Sequence, residues 1–454
     1  MLRRLGNEQH AADVYLSIGE ASFPAPFQSK LEFNPPVHGT WNIVHTGMLI
    51  PDAPQIYICS ANCMRGVVLT AAEMNAPDRF SQVLIEEKDV LAGSIEQLTV
   101  DGVLDVLSKL PKRPKAVLVF TVCVHHFLGS DLDWIYRELR RQAPDVIFVR
   151  CFMDPIMKKS GLTPDEKMRR SLYEPISPLP VNPRTVALLG SDFATDEDGD
   201  LRTYLEENGY RLLELPAAED FEEYLQTGEA ALLIACYPAA KPGAKALADQ
   251  LGRPFLYLPL TFDADEIVRN EERLAETLQR LKESKPVQQT TVLRPRSLTQ
   301  QRAQAEKALA QLRDLVGDTP IAIDYTLHPR PLGLAKLLLD HDFTVDRVYL
   351  DAVSGEEEPV FEQLQAQYPQ LKLYPTVHPS GRLQHGDAPQ MLALGQKAAW
   401  FTGSRHFVNV VEGAGWYGFN GIEKLCAAVS DAFDTEKDPV DCLPRKGLGC
   451  ESCF

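Results

Sequence analysis

Between residues 56 and 152 apolar runs alternate with helical segments, and this alternation restricts the fold more than any other feature of the chain. Ile56–Cys59, Val83–Ile85, Ala116–Val122 and Val146–Cys151 are short apolar runs that read as buried strands. Met64–Met74, Ile95–Leu110 and Asp131–Gln142 lie between them and read as helices. A strand spacing of about 30 residues is the size of a βαβ unit. Strands that alternate with helices predict a parallel sheet with right-handed crossovers. All strand C-termini of such a sheet lie along one edge, where α/β proteins bind their ligands. Cys59, Cys63, Cys123 and Cys151 stand at or just beyond strand ends, so topology alone predicts them on that edge.

The rest of the chain repeats the pattern. At 454 residues it exceeds what a single core organises. Residues 1–55 carry Pro24, Pro26, Pro35, Pro36, Pro51 and Pro54 and read as an irregular lead-in. It includes Val37-His38-Gly39-Thr40-Trp41-Asn42 and either wraps a site or stays a disordered arm. Residues 56–182 are the first α/β domain. Its end, 153–183, holds Pro155, Pro164, Pro175, Pro178, Pro180 and Pro183 and reads as a linker. The second α/β domain, 183–285, has strands at Thr185–Gly190, Tyr210–Leu215, Ala231–Cys236 and Phe255–Leu260, with helix Gly199–Asn208 closed by Gly209. Charged helical stretches at 264–284 and 297–315 are separated by Lys285-Pro286. Residues 286–433 hold a helical linker and a third α/β domain. Its expected strands are Ile321–Tyr325, Val345–Leu350, Leu371–Tyr374, Ala399–Thr402 and Phe407–Val411, followed by helix Gly421–Phe433. Residues 434–454 form a tail with Cys442, Cys450 and Cys453. The expected fold class is α/β: three doubly wound, Rossmann-like parallel-sheet domains with a cleft between them.

Charge and cysteine usage exclude several classes. A net charge of −17 argues against nucleic acid as the main partner, because phosphate binding needs a basic face. No apolar run approaches the ~18 to 20 residues that span a bilayer. Met1-Leu2-Arg3-Arg4 is not followed by an apolar stretch, so a cytoplasmic protein without signal peptide or membrane anchor is expected. Nine cysteines spread over a long chain do not make a disulfide scaffold. Reduced thiols at strand ends are then either small buried hydrophobes or metal ligands. Gly190-Ser191-Asp192 opens a strand-end loop without a GxGxxG fingerprint, and no dinucleotide site is expected.

Five groups of residues carry chemistry. An iron–sulfur cluster needs soft thiolates converging on one point. Cys59, Cys63 and Cys123 meet that requirement if the sheet forms, and Cys63 directly precedes a helix whose dipole stabilises a thiolate. The competing reading is three core thiols. Cys59-x3-Cys63 is not a standard zinc pair. Cys236 is a single thiol at a strand end, for which burial is the ordinary fate. His328-Pro329-Arg330 and Arg405-His406 both follow expected strands of the third domain. They either line a polar, partly basic cleft facing the second domain or are solvated loop residues. His125-His126 are metal ligands or local packing. The tail trio holds a CxxC but lacks a fourth ligand; a mobile tail that orders on binding, a redox pair and a peripheral cluster all fit it.

Several motifs, in order, resemble the nitrogenase component 1 superfamily: the α and β subunits of the molybdenum–iron protein, the related cofactor-assembly scaffolds, and the reductases of chlorophyll and tetrapyrrole biosynthesis. Glu86-Glu87-Lys88-Asp89-Val90-Leu91-Ala92-Gly93 is similar to the family's "EKDIVFGG". Thr121-Val122-Cys123-Val124 with Leu128-Gly129-Ser130-Asp131-Leu132 is similar to "ECPxxLIGDDI", and Phe148-Val149-Arg150-Cys151 to "PVRC". Ile234-Ala235-Cys236-Tyr237 resembles "VHCYRS", and Trp416-Tyr417-Gly418-Phe419-Asn420-Gly421 resembles "YHGFDG". The likeness runs from about residue 37 to about residue 433.

The resemblance implies two homologous subunits paired across the first domain, as a homodimer or as a heterodimer or heterotetramer. It also implies low-potential reduction with electrons from a separate ATP-dependent iron protein. Cys63 and Cys123 match two of the three cysteines that hold the family's interface cluster, a P-cluster or a [4Fe–4S] cluster. The first has no match, since Val37 or His38 stands near its place; Cys59 is an extra thiol close enough to substitute. Cys236 matches the cysteine ligand of the catalytic cofactor, which implies a second iron–sulfur cofactor nearby. Tyr417 replaces the companion histidine ligand. His328 falls where the family has an arginine, and Arg330 keeps the next one. Cys236, His328, Arg330, Arg405 and Tyr417 are the implied catalytic set. So altered a pocket implies an oxidoreductase that reduces an unknown small molecule or cofactor other than dinitrogen. The alternative is an iron–sulfur cofactor-assembly scaffold without turnover.

Overall fold

Ala116–Val122 runs through the middle of the first sheet buried at every residue. The computed structural model describes residues 14–27, 33, 35, 43–153, 161–283, 298–384 and 386–439. The first sheet has the order Phe80–Leu84, Gln55–Cys59, Ala116–Val122, Ile147–Met153, and every pairing is parallel. Helices on both faces explain why its inner strands are continuous apolar runs rather than alternating ones. Side chains still alternate between faces. Ile56, Ile58, Val117 and Val119 pack on Val100, Val103, Ile135 and Leu139. Tyr57, Cys59, Leu118 and Phe120 join the opposite cluster, which extends into the second domain through Leu189, Tyr224 and Leu233. Tyr57 stacks on Phe120 with ring centroids 4.3 Å apart.

The second sheet is parallel in the order Arg211–Glu214, Asn182–Leu189, Ala230–Ala235, Phe255–Tyr257. The third runs Lys372–Tyr374, Val345–Tyr349, Ile321–Asp324, Leu392–Leu394, Phe407–Val408, again parallel. Helices Thr299–Val316 and Gly418–Asp434 pack together beside it. The strand order of each sheet reverses next to its first parallel strand. These switch points lie between Gln55–Cys59 and Ala116–Val122, between Asn182–Leu189 and Ala230–Ala235, and between Ile321–Asp324 and Leu392–Leu394. Such reversals open a crevice at the strand C-termini.

Three expectations need correction. The lead-in is partly built into the fold: Leu16–Ser17 pairs antiparallel with Lys372–Leu373 as an edge strand of the third sheet, and Ile43–Gly47 is a helix. Val37–Asn42 lies outside the described residues, as do Cys442, Cys450 and Cys453.

The presumed linker contains helix Pro164–Tyr173, packed against strand Ile147–Met153 and helix Lys241–Leu251. Thr163 Oγ1 accepts from the Glu166 amide at 3.3 Å, and Glu166 Oε2 accepts from the Thr163 amide at 2.7 Å. Pro164 occupies the first helical position, where a missing N–H costs nothing.

Ala399–Thr402 is not a strand but part of helix Gln396–Thr402, closed by Gly403 at φ 74°. A short buried apolar run does not distinguish the two. What decides is Asp324, whose Oδ2 accepts from the Ala398 amide at 2.7 Å in the first turn of that helix. Gly395 makes room for it, because a Cβ there would lie 2.3 Å from the same oxygen. The segment before Phe407–Val408 therefore sits at the strand N-terminal edge, away from the switch point.

No described helix is long and apolar enough to cross a membrane. Replacing Phe120 by Ala removes the ring on which Tyr57 stacks. The expected cost is about 3–5 kcal/mol, read as a lower urea midpoint with an unchanged slope.

Candidate functional site

The first switch point presents thiols in different environments. Cys59, the last residue of its strand, is fully buried. Gln82 Nε2 lies 3.2 Å from its carbonyl and 3.6 Å from its sulfur. Burial, and then the neighbouring Cys63 thiol, push Cys59 up to about 12, against the Gln82 hydrogen bond. Its full burial, in contrast to the exposure of Cys63, favours the core-thiol reading of it. Cys63 is exposed, closes a single 3-10 turn, and lies 3.4 Å from Ser60 Oγ. Helix Met64–Glu73 starts immediately after it. Cys123 is half-buried at the first position of the short helix Cys123–Phe127. His125 is buried packing: its Nδ1 accepts from the Val122 amide at 3.3 Å, and burial lowers its pKa. Cys151 lies inside strand Ile147–Met153, where burial pushes its thiol up. Among the described residues no three His, Cys, Asp or Glu side chains are grouped to hold a metal. Val68, Leu84, Leu91, Phe127 and Leu128 of the same domain are exposed, Leu91 by 80% and Phe127 by 70%.

At the second switch point Cys236 follows strand Ala230–Ala235 and is buried. Burial pushes its thiol up to about 12. Tyr173, Tyr257 and Tyr417 are close enough for its charge to act on their hydroxyls. A Cβ on Gly190 would come within 2.6 Å of its sulfur. The cavity beside it, lined by Gly190, Ser191, Phe193, Thr195 and Glu214 among others, measures about 10 Å3. That is room for one water. The expected second iron–sulfur cofactor does not fit here.

The other implied catalytic residues are dispersed. Tyr417 is close to Cys236, at the start of helix Gly418–Asp434. His328 is buried against Phe262, ring centroids 4.5 Å apart, and its Nδ1 accepts from the Arg330 amide at 3.1 Å. Burial lowers it to about 3, so it is neutral. Arg330 is engaged by Glu266 at 2.6 Å and by the Glu356 carbonyl at 3.2 Å. Arg405 lies at the wrong end of the third sheet, since residues 396–402 are helical, and pairs with Glu436 at 3.0 Å and Asp438 at 3.8 Å.

A buried charge cluster that sequence reading missed joins the second and third switch points. Arg169, 1% exposed, points its Nε at Asp165 Oδ1 (2.9 Å) and its Nη1 at the Gly190 carbonyl (2.6 Å) and Asp192 Oδ1 (2.9 Å). Its Nη2 is 3.5 Å from Glu412 Oε1 and has no hydrogen-bond partner. The guanidinium lies 5.0 Å from the centre of the Tyr237 ring. Glu412 opens a turn in which Glu412, Gly413, Ala414 and Gly415 all have positive φ, at 53°, 75°, 48° and 76°. For Glu and Ala that conformation is strained. It is held because the Glu412 and Gly413 amides donate to the Thr326 and Leu327 carbonyls at 2.8 and 2.6 Å. Gly415 admits no side chain, as a Cβ would lie 2.0 Å from the Ala194 carbonyl oxygen. Burial, and then Asp192, push the Glu412 carboxyl up to about 8, although Arg169 opposes them. Next to it is a cavity of about 350 Å3 where helix Ile43–Gly47, the end of helix Met64–Glu73, the second domain and this turn meet. That size suits a small molecule.

Residues 46–375 match the model of the family described as nitrogenase component 1 type oxidoreductase. The chain belongs to this family. Comparison with curated proteins finds no match. Among solved structures, the chain is similar to nitrogenase Cp1 at pH 6.5, with a TM-score of 0.64 and 15% identity over 90% of this chain and 94% of that one. It is also similar to nitrogenase Cp1 at pH 5, with a TM-score of 0.57 and 12% identity over 90% and 91% of the two chains. At such identities the likeness is one of fold. This nitrogenase component 1 type chain has its parallel α/β sheets in that fold, with Cys63 and Cys123 at the first switch point and Cys236 buried at the second.

Glu412 gives the fold a pH dependence of determined sign. Its folded-state pKa, about 8, lies above the ordinary carboxyl value of 4.5, so the folded chain holds a proton that the unfolded chain releases. Stability from this group is therefore full at acidic pH and falls as pH rises from about 5 to about 8. Urea midpoints across that range should show the decline in the natural protein, and Glu412→Gln should flatten it.

Proposed function

We propose that the protein is the catalytic, electron-accepting component of a nitrogenase-like reductase, with its iron–sulfur cluster at a subunit interface. The observation that carries this reading is the first switch point, where Cys63 is exposed and Cys123 half-buried. Exposed Leu91 and Phe127 are costly in water and suit burial against a second subunit. A homologous subunit is the occupant the family resemblance implies, and its cysteines would complete the ligand set. A cluster held there supplies low-potential one-electron transfer. Cys63, directly before helix Met64–Glu73, and Cys123, at the first position of helix Cys123–Phe127, would be its ligands. Cys59 backs Cys63 from the core without ligating. Electrons would come from an ATP-dependent iron protein.

The substrate would be a small molecule or cofactor other than dinitrogen. Support comes from the closed space around Cys236 and from Tyr417 in place of the family's histidine. The same closure weighs against an assembly scaffold, which would need room there for its cargo.

Anaerobic purification should give a brown protein containing iron and labile sulfide. Cys63→Ser and Cys123→Ser should each lose most of the iron, while Cys59→Ala keeps it and lowers only stability. A colourless protein after anaerobic reconstitution, or iron loss confined to Cys59→Ala, would overturn the assignment. Incubation with a cognate iron protein and ATP would then separate turnover from mere cluster transfer.

A further inference from the structure

The cavity of about 350 Å3 at the domain junction is distinct from the Cys236 space and has a one-sided character. Met48, Leu49, Met74, Phe193, Leu215 and Val411 give it apolar walls. Methionine walls adapt to irregular apolar shapes, and an aromatic ring such as Phe193 in the lining is compatible with a cation. Among the described residues, the titratable groups lining it are Asp192, Glu412 and His45. Arg169 is not part of the lining: its guanidinium lies behind, facing Asp165 and Asp192, with Nη2 left unpartnered 3.5 Å from Glu412. Asp192 accepts from Arg169 and from Thr46 Oγ1 (3.2 Å), and Glu412 Oε2 accepts from the Asp192 amide (3.2 Å). Each carboxylate has about four acceptor positions, so both keep capacity for another donor. Above about pH 8, where Glu412 is ionised, three carboxylates around a single guanidinium leave the floor net negative. An anion entering would be buried beside like charge, whereas a cation would find its partner already desolvated.

We propose that this cavity binds an amine: a molecule with an apolar, ring-sized body and one cationic nitrogen that docks against Glu412 and Asp192. The amine is either the reductase's substrate or a ligand that governs it. The site does not depend on the cluster assignment, because none of its lining residues is a proposed cluster ligand.

Three probes sharing an indole body test this by calorimetric titration of the full chain, in metal-free and metal-loaded form. Tryptamine carries an ammonium, tryptophol a hydroxyl and indole-3-acetate a carboxylate. Tryptamine should bind best, with tryptophol about tenfold or more weaker and the acetate weakest. Tryptamine affinity should rise from about pH 6.5 to about pH 8 and then level off, since the ammonium docks on ionised Glu412. Among the described residues the groups facing that carboxyl are Arg169 and Asp165 from helix Pro164–Tyr173, Asp192 and Tyr237 from the second domain, and His45 in the cavity lining. Glu412→Gln should weaken tryptamine about tenfold and leave tryptophol unchanged. Should that variant fail to fold, Ala218→Trp fills the cavity from the second domain without altering charge and should abolish tryptamine binding. Preference for indole-3-acetate, absence of tryptamine binding, or tryptamine binding that survives Ala218→Trp would each overturn the proposal. Iron content is read separately, so amine binding by a colourless protein would sink the redox reading alone.

Discussion

One guanidinium fixes how the domains meet. Arg169 comes from the helix that follows the first domain, Gly190 and Asp192 from the first loop of the second, and Glu412 from a turn of the third. Arginine suits this role because its planar fork offers five donors in fixed directions and stays charged when buried. Burying it among three carboxyls is not a stabilising device in itself, since the desolvation of such groups offsets much of their attraction. What the cluster supplies is geometry. It ties the strand-end loop of the second sheet to a turn hung from the Thr326 and Leu327 carbonyls at the end of the third sheet's first parallel strand. Two switch points are thereby held against each other, and the junction cavity takes its shape from that tie.

The three switch points have diverged in content while keeping one topology. At the first, thiols and apolar side chains face outward. At the second, Cys236 retains its place at the strand end but is enclosed by aromatic side chains. At the third, Asp324 is spent on helix Gln396–Thr402, and buried Lys397 donates to Thr376 Oγ1 at 3.1 Å. Preserved backbone order with altered side-chain chemistry is how one fold hosts different reactions.

The framework was legible because buried parallel strands announce themselves. Ala116–Val122 needs no neighbour to be read as a strand, and its spacing from Gln55–Cys59 implies the crossover. Residues 399–402 were misread because an apolar run of that length carries no period, and the deciding contact comes from Asp324, far away in sequence. That single error moved Arg405 to the wrong edge. The charge cluster was harder to see. Arg169 sits among charged residues on a helix, which ordinarily means a solvated face, and the segment's prolines masked the helix. Thr163-Pro164-Asp165-Glu166 is a helix-start signature that was available. Gly413-Ala414-Gly415 likewise marked a special turn, although nothing local reveals that Glu412 points inward. Cys59 and Cys63 look alike in sequence; the pleat, which turns Cys59 into the core, separates them.

The edge strand Leu16–Ser17 bears on how the molecule is made. Its partner, Lys372–Leu373, is remote from it in sequence. During synthesis the first two sheets consist of segments that emerge in succession, and each is able to close as its last strand leaves the ribosome. The third sheet is different: its first strand, Leu16–Ser17, must wait, unpaired, until Lys372–Leu373 has been made. That pairing has the long sequence separation that slows folding. The N-terminal segment thus acts as a late fastening, and trimming it would leave a bare sheet edge open to pairing with other chains.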